Sequence, residues 1–294
     1  MAAPLSSGLV DPTTDIDASR LAGKTAIVTG GANGIGEAYV RALQAADSCA
    51  DGRPFRTLFV QCNVTNWDEQ VELFRKAAAF SPTGKIHYVI ANAGITRDDE
   101  VFKFDGLEKG PQRPNLSIID VNVYGTLYTT KLALHYFVAQ NGTEPNSDQD
   151  DTCLILIGSG AAIVDVPRTP QYQCTKWGAR GIMHALRGTA FYYGGRVNMI
   201  SPWYVRTKIL SQEAFDHVRD VGVEFATTED AGQLALRILG DPSINGRNLF
   251  LCPRKWAPKG YLDLDLEDPP KDSLLAEIQA DQIKGAPVEL GLFL

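Results

Sequence analysis

Cysteine is scarce in this chain: five residues (Cys49, Cys62, Cys153, Cys174, Cys252) among 294, with no C-x-x-C pair and no Cys/His spacing. An odd, scattered set excludes a disulfide framework and a zinc cluster, so reduced thiols and no metal site are expected. Basic residues are outnumbered 28 to 35, the formal net charge is -7, and no Lys/Arg cluster occurs. That balance argues against nucleic acid or an anionic membrane surface as the main partner, since both reward basic faces. Long apolar runs are missing as well, and none approaches the ~20 residues that span a bilayer. The opening "MAAPLSSGLVDPTTDIDASR" has neither the basic start nor the apolar middle of a secretory signal, so a cytoplasmic protein with a flexible leader over 1–19 is expected.

What the chain does have is a hydrophobic content of 44%, enough for a well-buried core at this length. Apolar, β-branched runs recur along it: "KTAIVTG", "TLFVQCNV", "IHYVIANAG", "TCLILIGS", "RVNMISP" and "RNLFLC". Helical patterns at about 34–46, 67–80, 114–139, 170–193 and 228–239 separate them. Continuous apolar strands alternating with helices predict an α/β fold, with a parallel sheet covered on both faces. One domain over 20–260 accounts for them, followed by a C-terminal extension, 261–294, with one helix in "PPKDSLLAEIQADQIKG".

Two groups of residues carry chemistry. In "TGGANGIG" (Thr29 to Gly36), a strand runs into a glycine-rich turn that opens a helix. Gly30, Gly34 and Gly36 allow a sharp turn, close approach of a pyrophosphate and tight helix–sheet packing, while the helix start supplies N–H groups. The second group is "YQCTK", which sets Tyr172 and Lys176 one helical turn apart, with Ser159 thirteen residues upstream at the end of a strand. A phenol with a pKa near ~10 is a poor acid or base at neutral pH until a neighbouring ammonium favours its phenolate. Lys176 is placed to supply that charge, and the Ser159 hydroxyl to hold a substrate oxygen against the phenol.

The spacing S-x12-Y-x3-K behind T-G-x3-G-I-G resembles the short-chain dehydrogenase/reductase family over nearly all of residues 20–255. "ANAG" (Ala91 to Gly94) is similar to that family's N-N-A-G, Asn122 in "IDVNVYGT" to its helix asparagine, and "SPWYVRT" (Ser201 to Thr207) to its P-G-x-x-x-T. The resemblance implies a Rossmann-like doubly wound sheet and an NAD(P)-dependent oxidoreductase interconverting a secondary alcohol and a ketone. It makes Tyr172 the acid/base, Lys176 the residue that lowers its pKa and binds the nicotinamide ribose, Ser159 the substrate-positioning hydroxyl and Asn122 the holder of a relay water. By the same likeness Gly30, Asn33, Gly34, Ile35, Gly36, Asn63, Val64, Asn92, Ala93, Gly94, Pro202, Val205 and Thr207 contact the cofactor, together with Tyr172 and Lys176. A homodimer or homotetramer is implied too. "TLFVQCNVTN" and "INGRNLFLC" resemble the NAD-linked hydroxyprostaglandin-dehydrogenase-like subgroup and similar fungal proteins of polyketide pathways.

The chain departs from the family's pattern in places that bear on the cofactor. Ala91 replaces the first Asn of N-N-A-G, and Trp203 replaces the Gly after Pro202, where it either walls the substrate pocket or crowds the cofactor. More seriously, Asp47 to Arg56 is too short for the strand and helix that normally follow the first helix and carry the NAD/NADP selector. Two arrangements absorb the loss. In one, "TLFVQCNV" slides over by one strand spacing to pair with "KTAIVTG", repairing a ladder whose unpaired groups would each cost about 1–3 kcal/mol. In the other, the segment stays put and 47–56 forms an irregular plug. Either leaves an adenosine site without its acidic side chain, hence weak binding of NAD or NADP, leaning to NAD through the acidic linker, with Asn63, Asp47 or Asp51 as substitutes. The competing readings are a scaffold doing cofactor-free isomerisation or cyclisation through Tyr172, and an inactive binding subunit. Aromatic polyketide, steroid-like and fatty alcohols are all open as substrates.

Overall fold

β-Branched and apolar runs too short for buried helices become the strands of one six-stranded sheet, in the order β1 to β6 along the chain. The computed structural model describes residues 5, 8–50 and 56–287, and the side chains of 47–50 lie outside the description. The strands are β1 (Ala26–Val28), β2 (Tyr88–Ala91), β3 (Thr152–Ile157), β4 (Gly195–Pro202), β5 (Asn248–Leu251) and β6 (Tyr261–Asp263). The first five are parallel, and β6 returns antiparallel on β5. β3 and β4 are buried at every position, as strands covered on both faces must be.

The helices are α1 (Gly34–Ala50), α2 (Trp67–Phe80), α3 (Ser117–Ile119), α4 (Thr126–Asn141), α5 (Pro170–Arg187), α6 (Gln212–Asp220), α7 (Thr228–Gly240) and α8 (Leu274–Gly285). On one face, Tyr39 and Ala46 of α1 join Leu234 and Ile238 of α7 against the sheet. On the other, Phe74 of α2, Leu132 and Phe137 of α4 and Met183 of α5 form the second core layer. No helix among the described residues is long and apolar enough to cross a membrane. Within the stretch expected as a leader, Val10 is buried and its N–H donates to Asp263 (3.3 Å), while β6 carries the sheet past residue 260.

One expectation is overturned. Among the described residues β1 pairs with β2 alone, and residues 56–63 form no strand, so "TLFVQCNV" does not slide over to join "KTAIVTG". The reason is an anchor at the end of that segment. The Gln70 amide donates to the carbonyls of Val64 (2.6 Å) and Gly125 (3.0 Å), and its oxygen accepts from Thr129 (2.8 Å). The Val64 side chain packs under Gly125, where an added Cβ would meet it at 2.8 Å. A lateral shift by ~4.8 Å would break this buried set, and the fold keeps it. α1 runs on to Ala50, and the rest of the expected plug, 51–55, lies outside the described residues. Between β1 and the 56–62 segment, the described structure leaves a cavity of about 760 Å³.

Candidate active site

The C-terminal ends of β1, β2, β3 and β4 bring the predicted residues together. At the first of them the Thr29 hydroxyl accepts from the N–H groups of Asn92 and Ala93 (3.0 Å each), and the Asn92 amide donates back to the Thr29 carbonyl (2.9 Å). Gly30 has φ +66°, and a Cβ there would sit 3.0 Å from the Ala93 Cα. A Cβ on Gly36 would run into the Gly30 carbonyl and the Asn92 amide, so this turn closes only with glycine. The result is the start of α1 held tight against the strand ends, with Asn33 exposed before it. Thr207 closes the far side, 3.2 Å from where a Gly34 Cβ would be. A pyrophosphate fits this cradle: the main chain can be approached closely, and among the described residues no hydrogen bond occupies the N–H groups of Gly34, Ile35 and Gly36.

The catalytic set lies a few residues away. Asn122 is buried in a π-helical turn (Asp120–Gly125), a distortion of the kind that re-aims side chains at functional sites. Its oxygen accepts from Ile95 N–H (2.8 Å), and its amide donates to the Ile95 carbonyl (2.9 Å) and the Thr175 hydroxyl (3.2 Å). Gly94 joins the two groups: a Cβ on it would stand 3.3 Å from Asn122 Oδ1 and 3.7 Å from Lys176 Nζ. Lys176 is buried, donates to the Ile157 carbonyl (3.0 Å) and sits 5.5 Å from the Tyr172 ring centre. Burial brings its ammonium down to about 8. Burial also pushes the Tyr172 phenol above its ordinary value, with the Ser159 hydroxyl bonded to it and working the other way.

Trp203 stands beside Gly160, the residue that follows Ser159. Its ring is 3.1 Å from where a Gly160 Cβ would be, and it meets Tyr204, Phe250 and Trp256 edge-on at 5.1, 6.1 and 5.5 Å between ring centres. Val205 is buried and bridges to Ala226, while Pro202 ends β4. Val64 reaches the group, lining a small recess with Thr29, Ala91 and Ala93. Asn63 is exposed, and its side-chain oxygen accepts from Thr65 N–H (3.1 Å) and hydroxyl (3.0 Å), closing its own turn. Sequence reasoning missed Thr29, Thr175, Phe250 and Trp256. Only Thr29 left a signal, a hydroxyl at the end of an apolar strand.

Residues 24–217 match the short chain dehydrogenase family. The chain belongs to that family. It is an oxidoreductase acting on a CH–OH group, like the dehydrogenases it resembles, and short-chain dehydrogenases use NAD(P). It is 31% identical to a 5'-hydroxyaverantin dehydrogenase of Dothistroma septosporum, over 87% of this chain and 92% of that one. Identity to the 5'-hydroxyaverantin dehydrogenase of Emericella nidulans is 32%, over 86% and 90%. A solved short-chain type dehydrogenase/reductase from Mycobacterium marinum superposes with a TM-score of 0.63 at 22% identity, covering 80% of this chain and 96% of that one. This last likeness carries the fold.

Proposed function

We propose that this short-chain dehydrogenase interconverts a secondary alcohol and a ketone on an aromatic, largely apolar substrate with NAD or NADP. The observation that carries the reading is the juxtaposition at Gly94, which links the Asn122–Lys176–Tyr172–Ser159 set to the glycine turn through Ala93 and Gly30. In the oxidative direction Tyr172 Oη takes the proton of the substrate hydroxyl while Ser159 Oγ holds that oxygen in place. Lys176 Nζ, fixed by the Ile157 carbonyl, steadies the phenolate, and Asn122 fixes the Ile95 main chain beside it. A nicotinamide cofactor held by the glycine turn at Gly30, Gly34 and Gly36 and by Lys176 would supply the hydride acceptor or donor for the substrate carbon. In the reductive direction the same phenol returns the proton.

The substrate class follows from Trp203. Its ring stands beside Gly160, next to Ser159, and Trp256 beside it is about half exposed (49%). This supports Trp203 as the wall of the substrate pocket, and planar rings stack well against such a surface. The two relatives named for 5'-hydroxyaverantin point the same way. Trp203→Ala should raise KM for polycyclic aromatic alcohols by roughly tenfold, about 1–1.5 kcal/mol, with little change for a small aliphatic alcohol. An equal effect on both would remove Trp203 from the pocket.

For the cofactor, no acidic side chain among the described residues stands beside Gly30 to take the ribose hydroxyls, and Arg56 is stacked on Phe80 (4.4 Å). Asp47, Asp51 and Arg53 lie outside the described side chains. We therefore expect dissociation constants above a micromolar for both NADH and NADPH, with at most about tenfold preference, leaning to NADH. Fluorescence titration decides this: submicromolar binding with strong preference for one would overturn it. The small-molecule enzyme is further proposed to assemble as a homodimer or homotetramer, which light scattering at micromolar concentration checks.

A further inference from the structure

The helix that carries Tyr172 and Lys176 does not cap its own start. α5 begins after Thr169, whose hydroxyl donates to the Val166 carbonyl (3.0 Å) and makes no capping bond to the helix. Pro170, the first helical residue, has no N–H, so the first main-chain donor that the helix leaves open belongs to Gln171, directly before Tyr172. Its partner comes from 72 positions away: Asp99, in the loop that follows β2, accepts the Gln171 N–H on Oδ2 (2.6 Å) and the Gln171 side-chain amide on Oδ1 (3.1 Å). Oδ1 also accepts the Val101 N–H (3.0 Å), which fixes the carboxylate on its own loop.

Asp99 is tied to Asn122 as well. Four residues before it, Ile95 gives its N–H to Asn122 Oδ1 (2.8 Å) and takes the Asn122 amide on its carbonyl (2.9 Å). The same amide donates to the Thr175 hydroxyl (3.2 Å), and that hydroxyl donates to the Tyr172 carbonyl (2.8 Å). A ring of bonds therefore closes: Asp99 to Gln171, along α5 to Thr175, through Asn122 to Ile95, and back along the chain to Asp99. Gln171, Thr175 and Asn122 are all buried. Tyr172 lies within this ring, held at the residue before it and at its own carbonyl, in the first turn, where an uncapped helix frays. The carboxylate of the ring is that of Asp99, and a hydrogen bond to an ionised acceptor is roughly twice as strong as one between neutral groups.

We propose that Asp99 is a positioning residue for the dehydrogenase reaction. By clamping Gln171 to the loop after β2, it fixes where the first turn of α5 stands relative to the strand ends, and with it the reach of Tyr172 Oη to Ser159 and Lys176. The proposal rests on the reading of Tyr172 as the acid/base, and Asp99 acts through that residue. The groups that face the phenol are Ser159 after β3, Lys176 on α5 itself and Tyr204 after β4, and a small displacement of the first turn changes its distance to all of them. The clamp admits one conservative replacement. Gln171 Oε1 is buried without a partner among the described residues. With that amide turned over, Asn at position 99 can accept the Gln171 N–H and donate to Oε1, and Ala can do neither.

The test is steady-state kinetics on the full chain, with the parent and with Tyr172→Phe as backgrounds. In the parent, Asp99→Ala should lower kcat roughly tenfold and leave KM for the alcohol within about twofold. The onset of oxidation should move to higher pH, because a displaced phenol loses the support of Ser159 and Lys176. Asp99→Asn should stay within about threefold of the parent in kcat. In the Tyr172→Phe background, Asp99→Ala should change the residual turnover by less than about twofold, since a residue acting through the phenol has nothing left to act on. Circular dichroism and Tm report the folded fraction to which each kcat is referred. Gln171→Ala, which keeps the helix N–H bond and removes the amide half of the clamp, should show a smaller loss with the same upward pH shift, and it decides the matter if Asp99→Ala does not fold. An unchanged kcat and pH profile, equal losses in the two backgrounds, or Asp99→Asn falling as far as Asp99→Ala would each overturn the proposal. Parental turnover in Tyr172→Phe itself would instead remove the acid/base reading, and the role of Asp99 with it.

Discussion

Tyr172 is held above its ordinary pKa by burial while Lys176, beside it, is held down to about 8 by the same burial. Neither group alone is a good base near neutrality; together they can share a proton, because a charged ammonium favours the phenolate. Tyr172→Phe removes only the ionisable oxygen and should lower kcat by about 10²–10⁴-fold with an unchanged circular dichroism spectrum. Turnover within tenfold of the parent would remove Tyr172 from the chemistry. Lys176 is charged below about 8 and neutral above it, so its support for the phenolate fades as pH rises through that value. In Lys176→Met the support is absent at every pH, and oxidation should begin about a pH unit or more higher. An unchanged profile would assign Lys176 to packing alone. The serine, tyrosine and lysine were legible in the sequence because one helical turn fixes Tyr172 and Lys176 on one face. Thr175, which receives the Asn122 amide, was not, because that contact joins two helices.

Among the elements, the segment 56–64 shows how one anchored end decides a register. Gln70 ties Val64 to Gly125 and Thr129 through three bonds, in buried surroundings. Gln70→Leu should cost roughly 1–3 kcal/mol by urea denaturation, since it leaves the buried Val64 carbonyl without its partner, while the Thr129 hydroxyl still donates to the Gly125 carbonyl (2.9 Å). A loss below about 0.5 kcal/mol would show that the surroundings re-pair freely. The π-helical turn around Asn122 carries a comparable lesson. Its sequence, "DVNVYG", reads as ordinary helix, and the expected single helix over 114–139 is instead α3, the π turn and α4. The extra residue per turn is set by what Asn122 must reach, the Ile95 main chain, and nothing local encodes it.

For the whole molecule, two buried groups predict acid sensitivity with a defined sign. His87 accepts the Thr25 N–H on Nδ1 (3.1 Å), and burial brings its pKa down to about 4. Its folded value lies below the unfolded one, so stability from the neutral ring is lost as pH falls from ~6.5 towards 4. Glu267 is buried and accepts from Arg180 (3.0 Å), His184 (2.5 Å) and Asn248 (3.1 Å), which hold its carboxyl at about 2 against its own desolvation. Its contribution is present above ~4.3 and lost as pH falls towards 2, on the order of 2–3 kcal/mol. Thermal melts should therefore show Tm falling in two stages below pH ~6.5, the first missing in His87→Gln and the second in Glu267→Gln; a flat Tm from pH 7 to 4 would contradict the first assignment. By itself, the sequence determined the α/β class, the glycine turn and the acid/base helix, since each rests on contacts within a few residues where strand and helix periods dominate. Only the tertiary structure decided that the 56–64 segment keeps its place and leaves a cavity beside β1. It also decided that Asn63 closes its own turn and that Trp203 stands over Gly160. Those outcomes depend on which of several near-equal local arrangements the distant partners Gln70, Gly125 and Phe250 can satisfy, and linear spacing carries no record of that competition.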